Sequence, residues 1–340
     1  MHWNDPYSDE YEVYEEKFDP LKNDRQARRG RKPRARPAPH KDQSKIVADI
    51  TDEIASELDG GFRTTYQPSR YEATWLLQSL RPFYDQALIA DVLALVKGGK
   101  EASVYRCRAH PSTGVDMLAA KVYRPRKFRI LSNDAVYREG RAVLNEDGHE
   151  VKATDERVMR ALRRKTGYGL RVAHTSWVMH EFTTLQHLYN RGGAVPQPIL
   201  AAENALLMGY QGDEDVAAPT LQEIGLERGE AEKLFDEVMR NVELLLTLGW
   251  IHGDLSAYNI LYWEGDIVLI DFPQVVSSHG NDQARAILER DIVRVCDYFA
   301  RQGLNRNPAK ILKRLWYGYA ETPIRDRLAD ASARFAREEE

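Results

Sequence analysis

Cysteine is scarce in this chain: Cys107 and Cys296 are the only two in 340 residues. Two thiols cannot build a disulfide framework or a cysteine-based zinc site, and the shortage favours a reducing compartment. Long apolar runs are missing as well. No stretch approaches the roughly 18 apolar residues of a membrane-spanning helix, and no hydrophobic segment follows a basic N-terminus as in a signal peptide. No membrane association is expected, and a cytoplasmic location is the default. The formal net charge is −4, so no overall basic field recommends nucleic acid as the main ligand, and any basic patch has to be local. Internal repeats are also absent. Since single cores stop growing at about 250–300 residues, the length fits one two-lobed unit plus some unpacked sequence.

The chain begins acidic and aromatic (Asp5, Tyr7, Asp9, Glu10, Tyr11, Glu12, Tyr14, Glu15, Glu16). It then turns basic (Arg25, Arg28, Arg29, Arg31, Lys32, Arg34, Arg36) among Pro33, Pro37 and Pro39. Such a segment cannot bury enough apolar surface to offset the cost of ordering its backbone. Residues 1–70 are therefore read as a disordered tail, with a short helix over 44–58 carrying Val47, Ile50 and Ile54. The basic run is either a solvated tail or a contact for RNA or a ribosome. From Trp75 onward the pattern is globular. Trp75, Leu76, Leu80 and Tyr84 predict a helix, and strands follow over 89–96, 104–107 and 117–122. Residues 124–170 form a polar stretch rich in Arg and Lys, read as a long loop. Val178, Phe182, Leu185 and Tyr189 predict a helix that Gly192-Gly193 ends. After a strand over 205–210 come a helix through Leu234, Val238, Val242 and Leu245, a hairpin turning at Glu264-Gly265-Asp266, and a helix through Leu288, Ile292, Val295 and Phe299.

The chemistry lies in His252-Gly253-Asp254-Leu255-Ser256-Ala257-Tyr258-Asn259 and, beyond the hairpin, Ile270-Asp271-Phe272. Phosphoryl transfer to a hydroxyl requires magnesium to neutralise the phosphates, a group to accept or orient the hydroxyl proton, and rigid placement of both. Asp and Asn supply the hard oxygen ligands that magnesium demands. Asp254 and Asn259 end one short loop and Asp271 ends the hairpin that starts from it, so the returning chain lets the three converge. A lone Asp or Asn in a loop is usually a cap or turn residue; the joint order and spacing carry the functional reading.

This stretch resembles the catalytic and metal-binding loops of protein-kinase-like enzymes, and further residues resemble the RIO kinases in particular, over roughly residues 91–318. The resemblance implies an α+β, two-lobed protein-kinase-like fold: a small β-rich N-lobe over 71–211 with a basic flexible insert at about 124–170, and a helical C-lobe over 212–340. It implies that Asp254 is the catalytic aspartate, that Asn259 and Asp271 hold metal, and that His252 packs and orients the loop. Gly98-Gly99-Lys100-Glu101-Ala102-Ser103-Val104-Tyr105 is similar to the short RIO phosphate loop, which implicates Gly99, Lys100, Glu101, Ser103 and Val104 in nucleotide binding. Lys121 would reach the phosphates and pair with Glu181. Leu206 to Gly212 resembles the hinge, with Met208 at the back of the nucleotide pocket and Tyr210 beside adenine. Gly253 stands where ordinary kinases have arginine, and Phe272-Pro273-Gln274 replaces their flexible glycine segment. By the same analogy, Asp291 braces the catalytic loop through hydrogen bonds.

The implied cofactors are ATP and magnesium, with manganese as a substitute, and the implied acceptor is serine of a protein or of the chain itself. The metal-binding aspartate of RIO kinases can itself be phosphorylated, which makes an ATPase cycle through Asp271 a variant. Two other readings stay open. Small-molecule kinases of the aminoglycoside or choline type share the His-Gly-Asp loop, though their larger helical C-terminal lobe has no evident source here. An ATP-bound RNA or ribosome assembly factor with little kinase activity is the other.

Overall fold

The structure is a computed structural model that describes residues 62, 64–99, 102–123, 142–152, 154–164, 166–279 and 281–320, all within the compact unit Thr51–Glu340. A five-stranded sheet in the order β1-β2-β3-β5-β4 is built from β1 (Ile89–Gly98), β2 (Ala102–Ala109), β3 (Met117–Tyr123), β4 (Pro198–Ala202) and β5 (Ala205–Gly209), with every pair antiparallel. Helix α1 (Arg70–Asp85) covers one face. Its Leu76, Leu80 and Phe83 are fully buried against Val92, Tyr105, Cys107, Leu118, Ala120 and Val122. Trp75 and Tyr84 are partly buried at the margin of this cluster. Side chains alternate across a strand, so Ala119, Lys121 and Tyr123 of β3 face the opposite side, toward α3 (Gly167–Tyr189) and the second lobe.

The second lobe is mainly helical, with α4 (Arg228–Thr247), α5 (Ala284–Arg301) and α6 (Pro308–Leu315). Short strands β6 (Trp250–Ile251) and β9 (Val276–Ser277) pair beside the hairpin of β7 (Ile260–Trp263) and β8 (Asp266–Leu269). The hairpin turns tightly on Glu264 and Gly265, whose φ values of 51° and 91° are those of a primed turn matched to strand twist. Asp266 already belongs to β8. Val238, Val242 and Leu245 of α4 pack with Ile292, Val295 and Phe299 of α5 under the loop between β6 and β7. The helix-spaced apolar residues of the sequence therefore form the floor beneath the catalytic motif.

Three expectations need correction. The tail does not stay unpacked to residue 70. Phe62 is buried, the Tyr66 N–H donates to the Val92 carbonyl, and the Thr65 N–H and hydroxyl both donate to the Asp91 carboxylate. The span 124–170 is not all loop, because α2 (Glu156–Arg163) and the first turn of α3 occupy its end. A Cβ on Gly169 would overlap the Ala161 carbonyl, so glycine there permits close packing of α2 on α3. Tyr189, placed on the buried stripe, is exposed. Residues 1–61 and 124–141, including the helix expected over 44–58 and the first part of the insert, lie outside the described residues.

Candidate active site

Lys121 lies on the inner face of β3, and its ammonium contacts two carboxylates: Glu181 Oε1 at 2.6 Å and Asp271 Oδ1 at 2.6 Å. The Lys121 and Glu181 side chains are only 10% and 2% exposed, whereas that of Asp271 is 40% exposed. Burial alone would lower the lysine's pKa, but the charges of Asp271 and Glu181 more than reverse this and raise it. Burial likewise pushes Asp271 up, and Lys121, with smaller help from His252 and Lys97, carries it below the usual carboxylate range. The second oxygen of Glu181 accepts a hydrogen bond from the Tyr123 hydroxyl. Tyr123 was not anticipated as part of this cluster, although its position two residues beyond Lys121 puts both on one face.

The loop between β6 and β7 carries Asp254 and Asn259. The Asn259 amide nitrogen donates to the Asp254 backbone carbonyl at 2.8 Å and to Oδ2 at 3.0 Å. This leaves the amide oxygen for another partner. His252 links the loop to the strand end opposite, with Nε2 3.2 Å from the Ile270 carbonyl and Nδ1 accepting from the Asp254 N–H. The Ile270 N–H donates to the Asn259 carbonyl at 3.0 Å, so the hairpin holds the start of the Asp271 segment against the end of the catalytic loop. Gly253 is required here. Its φ is 85°, and a Cβ would overlap the Gln274 carbonyl.

Helix α5 supports the loop from below. Asp291 accepts the Gly253 N–H at 2.8 Å, as the resemblance implied, and Arg290 donates to the Gly253 carbonyl. Arg294 forms a 2.7 Å ion pair with Asp254 Oδ1, the two side chains being 3% and 6% exposed. The sequence reading missed Arg294. Its only signal was helical spacing, three residues beyond Asp291 on the same face of α5. Burial raises the pKa of Asp291 despite the opposing charges of Arg290, His252 and Arg294.

The remaining nucleotide-binding expectations divide. Gly99 donates its N–H to the Ala102 carbonyl at 2.9 Å, and a Cβ there would press on that same oxygen. Val104 packs toward the second lobe beside Ala119 and Met208. Ser103 does not join them. It alternates to the α1 face and is 3% exposed, because the β2 register puts it opposite Val122, which also faces α1. Met208 pairs with Ala119 on the inner face and is nearly buried. At the hinge the Gly209 N–H is taken by the Gln197 carbonyl and the Gln211 carbonyl by the Ala218 N–H, with half-buried Tyr210 between them. Lys100 and Glu101 lie outside the described residues.

The donor set fits a magnesium ion bound to phosphate. Asp271 offers a partly exposed carboxylate and Asn259 an amide oxygen, and magnesium characteristically takes one or two protein oxygens with the rest from phosphate and water. No group of three or more His, Cys, Asp or Glu side chains able to hold a metal occurs among the described residues.

A sheet-bearing lobe, a helical lobe, a buried lysine–glutamate pair and two loop-borne aspartates have the layout of the protein-kinase-like class. A family model described as the RIO domain matches residues 136–311, just over half of the chain. The chain belongs to the RIO family. It is 30% identical over 229 residues to the serine/threonine-protein kinase RIO1 of Chaetomium thermophilum, a match covering 64% of this chain and 41% of that protein. To the RIO-type serine/threonine-protein kinase Rio1 of Haloferax volcanii it is 32% identical over 210 residues, covering 61% and 63%. To the Rio1 of Thermoplasma acidophilum it is 33% identical over 135 residues, covering 40% and 69%. The chain thus spans less than two thirds of the first two. A solved Rio2 kinase-ADP/Mg2+-phosphoaspartate complex from Chaetomium thermophilum matches with TM-score 0.49 and 16% identity, over 86% of each chain.

Proposed function

We propose that this chain is an ATP-dependent phosphotransferase of the RIO type. It transfers the γ-phosphate of ATP to protein serine, its own included, or hydrolyses ATP through a phosphorylated Asp271. The observation that carries this reading is Lys121 held between Glu181 and Asp271 at 2.6 Å each. Glu181 and Tyr123 fix the lysine while the exposed carboxylate of Asp271 can exchange it for metal. Magnesium held by Asp271 and Asn259 would neutralise phosphate charge. Lys121 would then orient the phosphates, and Met208 and the residues around Tyr210 would receive adenine.

The two acceptors differ in what they ask of Asp254. Transfer to serine forms a bond between the hydroxyl oxygen and the γ-phosphorus, breaks the bond to the β-phosphate oxygen, and sends the hydroxyl proton toward Asp254. Each Asp254 oxygen already has one partner, Arg294 on Oδ1 and Asn259 on Oδ2, so the side chain is held in one place. Transfer to Asp271 needs no base, because a carboxylate oxygen attacks directly and water later cleaves the acyl phosphate. The greater exposure of Asp271 favours this second route.

The test is the chemical bond formed with γ-labelled ATP and magnesium. Acid-labile, hydroxylamine-sensitive label supports Asp271 as acceptor, and stable label on serine supports protein-kinase action. Turnover stimulated only by a small alcohol would replace both with small-molecule phosphorylation. A cytoplasmic setting belongs to the proposal, supported by two buried free thiols. So does an RNA or ribosome contact through the basic tail and insert, supported by exposed Arg157, Arg160, Arg163 and Arg164 on and just beyond α2. Association that is unchanged on deleting residues 1–70, at controlled salt, would remove the tail from that contact.

A further inference from the structure

Across the sheet, Lys97 of β1 pairs with Val104 of β2, Val104 pairs with Lys121 of β3, and Lys121 pairs with Leu206 of β5. Residues directly opposite one another in an antiparallel sheet project from the same face, so this row has one orientation. Two members fix what that orientation is. Lys121 reaches Glu181 and Asp271, and Val104 packs on the second lobe's core. Lys97 therefore projects from the sheet's inner face, two strands from Lys121 at about 4.8 Å per strand, and at the rim next to the segment around Gly99 that resembles a phosphate loop. It is exposed, and among the described residues it makes no ion pair. Its charge is felt at Asp271, which lies on the same side.

The charge balance of the cleft gives this position a meaning. The Lys121 ammonium is already shared between two carboxylates, and Arg294 is committed to Asp254. A triphosphate entering beside Asp271, Glu181 and Asp254 meets negative charge, and the cation the row leaves uncommitted is Lys97. We infer that Lys97 is a second phosphate-binding lysine, which contacts the terminal phosphates of the nucleotide from the outer strand while Lys121 contacts them from within. A flexible ammonium suits this task better than a fixed fork, because it must meet phosphates that arrive with a metal ion. The inference rests on the proposed nucleotide site and adds a residue specific to its phosphate end.

The experiment is direct binding of ATP, ADP and AMP, with magnesium, to the full-length protein and to its Lys97→Ala and Lys97→Arg variants. Lys97 is exposed, so neither substitution disturbs a core. The expected result for Lys97→Ala is an ATP affinity weakened by about tenfold, the usual size of a charge-assisted contact. ADP should weaken less, AMP should be unchanged, and Lys97→Arg should restore most of the ATP affinity. Equal weakening for ATP and AMP, or none for ATP, would overturn the role of Lys97 and leave the nucleotide site standing. If the unmodified protein binds none of the three, the nucleotide site itself falls, and this inference with it.

Discussion

Asp271 has φ of 71°, in the left-handed region that only glycine, asparagine and aspartate enter at low cost. That conformation determines how its role should be tested. Asp271→Ala removes the carboxylate but adds backbone strain of about 1 kcal/mol, so lost activity would have two causes. Asp271→Asn keeps the backbone preference and removes the charge. It is expected to lower magnesium-dependent turnover by on the order of 10² or more, as loss of a preorganised electrostatic contact does, with a smaller fall in urea midpoint than a substitution of Glu181 gives. Turnover within a few-fold of the parent would refute the metal assignment. Glu181 offers the contrast. It is buried and serves both Lys121 and Tyr123, so Glu181→Ala leaves an ammonium and a hydroxyl buried with one partner fewer. A loss of about 3–5 kcal/mol is expected from a buried pair broken on one side, read as a lower urea midpoint. The two carboxylates around one lysine thus differ in exposure, and the two substitutions separate the functional role proposed for Asp271 from a structural one for Glu181.

Helix α5 concentrates its polar side chains where the catalytic loop rests on it. Arg290, Asp291 and Arg294 fall on one face by helical spacing, and each binds Gly253 or Asp254. Asp291 carries a pH signature. Burial raises its folded pKa above the ordinary value of about 3.9. Its contribution to stability is therefore fully present below that unfolded value and is lost as pH rises through the folded one. Asp291→Asn keeps an oxygen to accept the Gly253 N–H and cannot ionise. Urea unfolding of both proteins from about pH 4 upward should show the variant gaining on the parent as pH rises, and a constant difference would exclude Asp291 as the source. The sequence announced the loop but only part of its support. Asp291 was readable because a resemblance pointed to it. Arg294 was not, since nothing in a one-dimensional pattern says which arginine of a helix reaches a carboxylate 40 residues earlier. Ser103 failed for a related reason: a hydroxyl in a phosphate-loop motif looks useful until the register fixes which face it points from. The hairpin was legible down to its turn because Glu264-Gly265 encodes it locally. β4 was not, because five residues opening on proline and ending in two alanines carry little strand signal.

The two lobes meet along the row of contacts from Lys121 on the sheet to Asp271 at the end of the hairpin, so a ligand that binds there should stabilise the protein in proportion to its affinity. Saturation at about 100 times the dissociation constant corresponds to roughly 2.7 kcal/mol. For a folded unit of this size that is a rise in Tm of about 5–10 °C. The metal's share can be separated from the nucleotide's because different side chains carry them. Met208, Tyr210 and Lys121 would bind ATP without magnesium, whereas Asp271 and Asn259 contribute through the metal. The Tm of the parent protein should therefore rise modestly with ATP alone and further when magnesium is added. In Asp271→Asn the first increment should persist, because no nucleotide contact has been removed, and the second should vanish. A magnesium increment that survives the substitution would show that the metal is held elsewhere. An ATP increment that disappears with it would show that Asp271 organises the whole pocket, with Lys121 moved from its place beside Glu181 once its second carboxylate is gone.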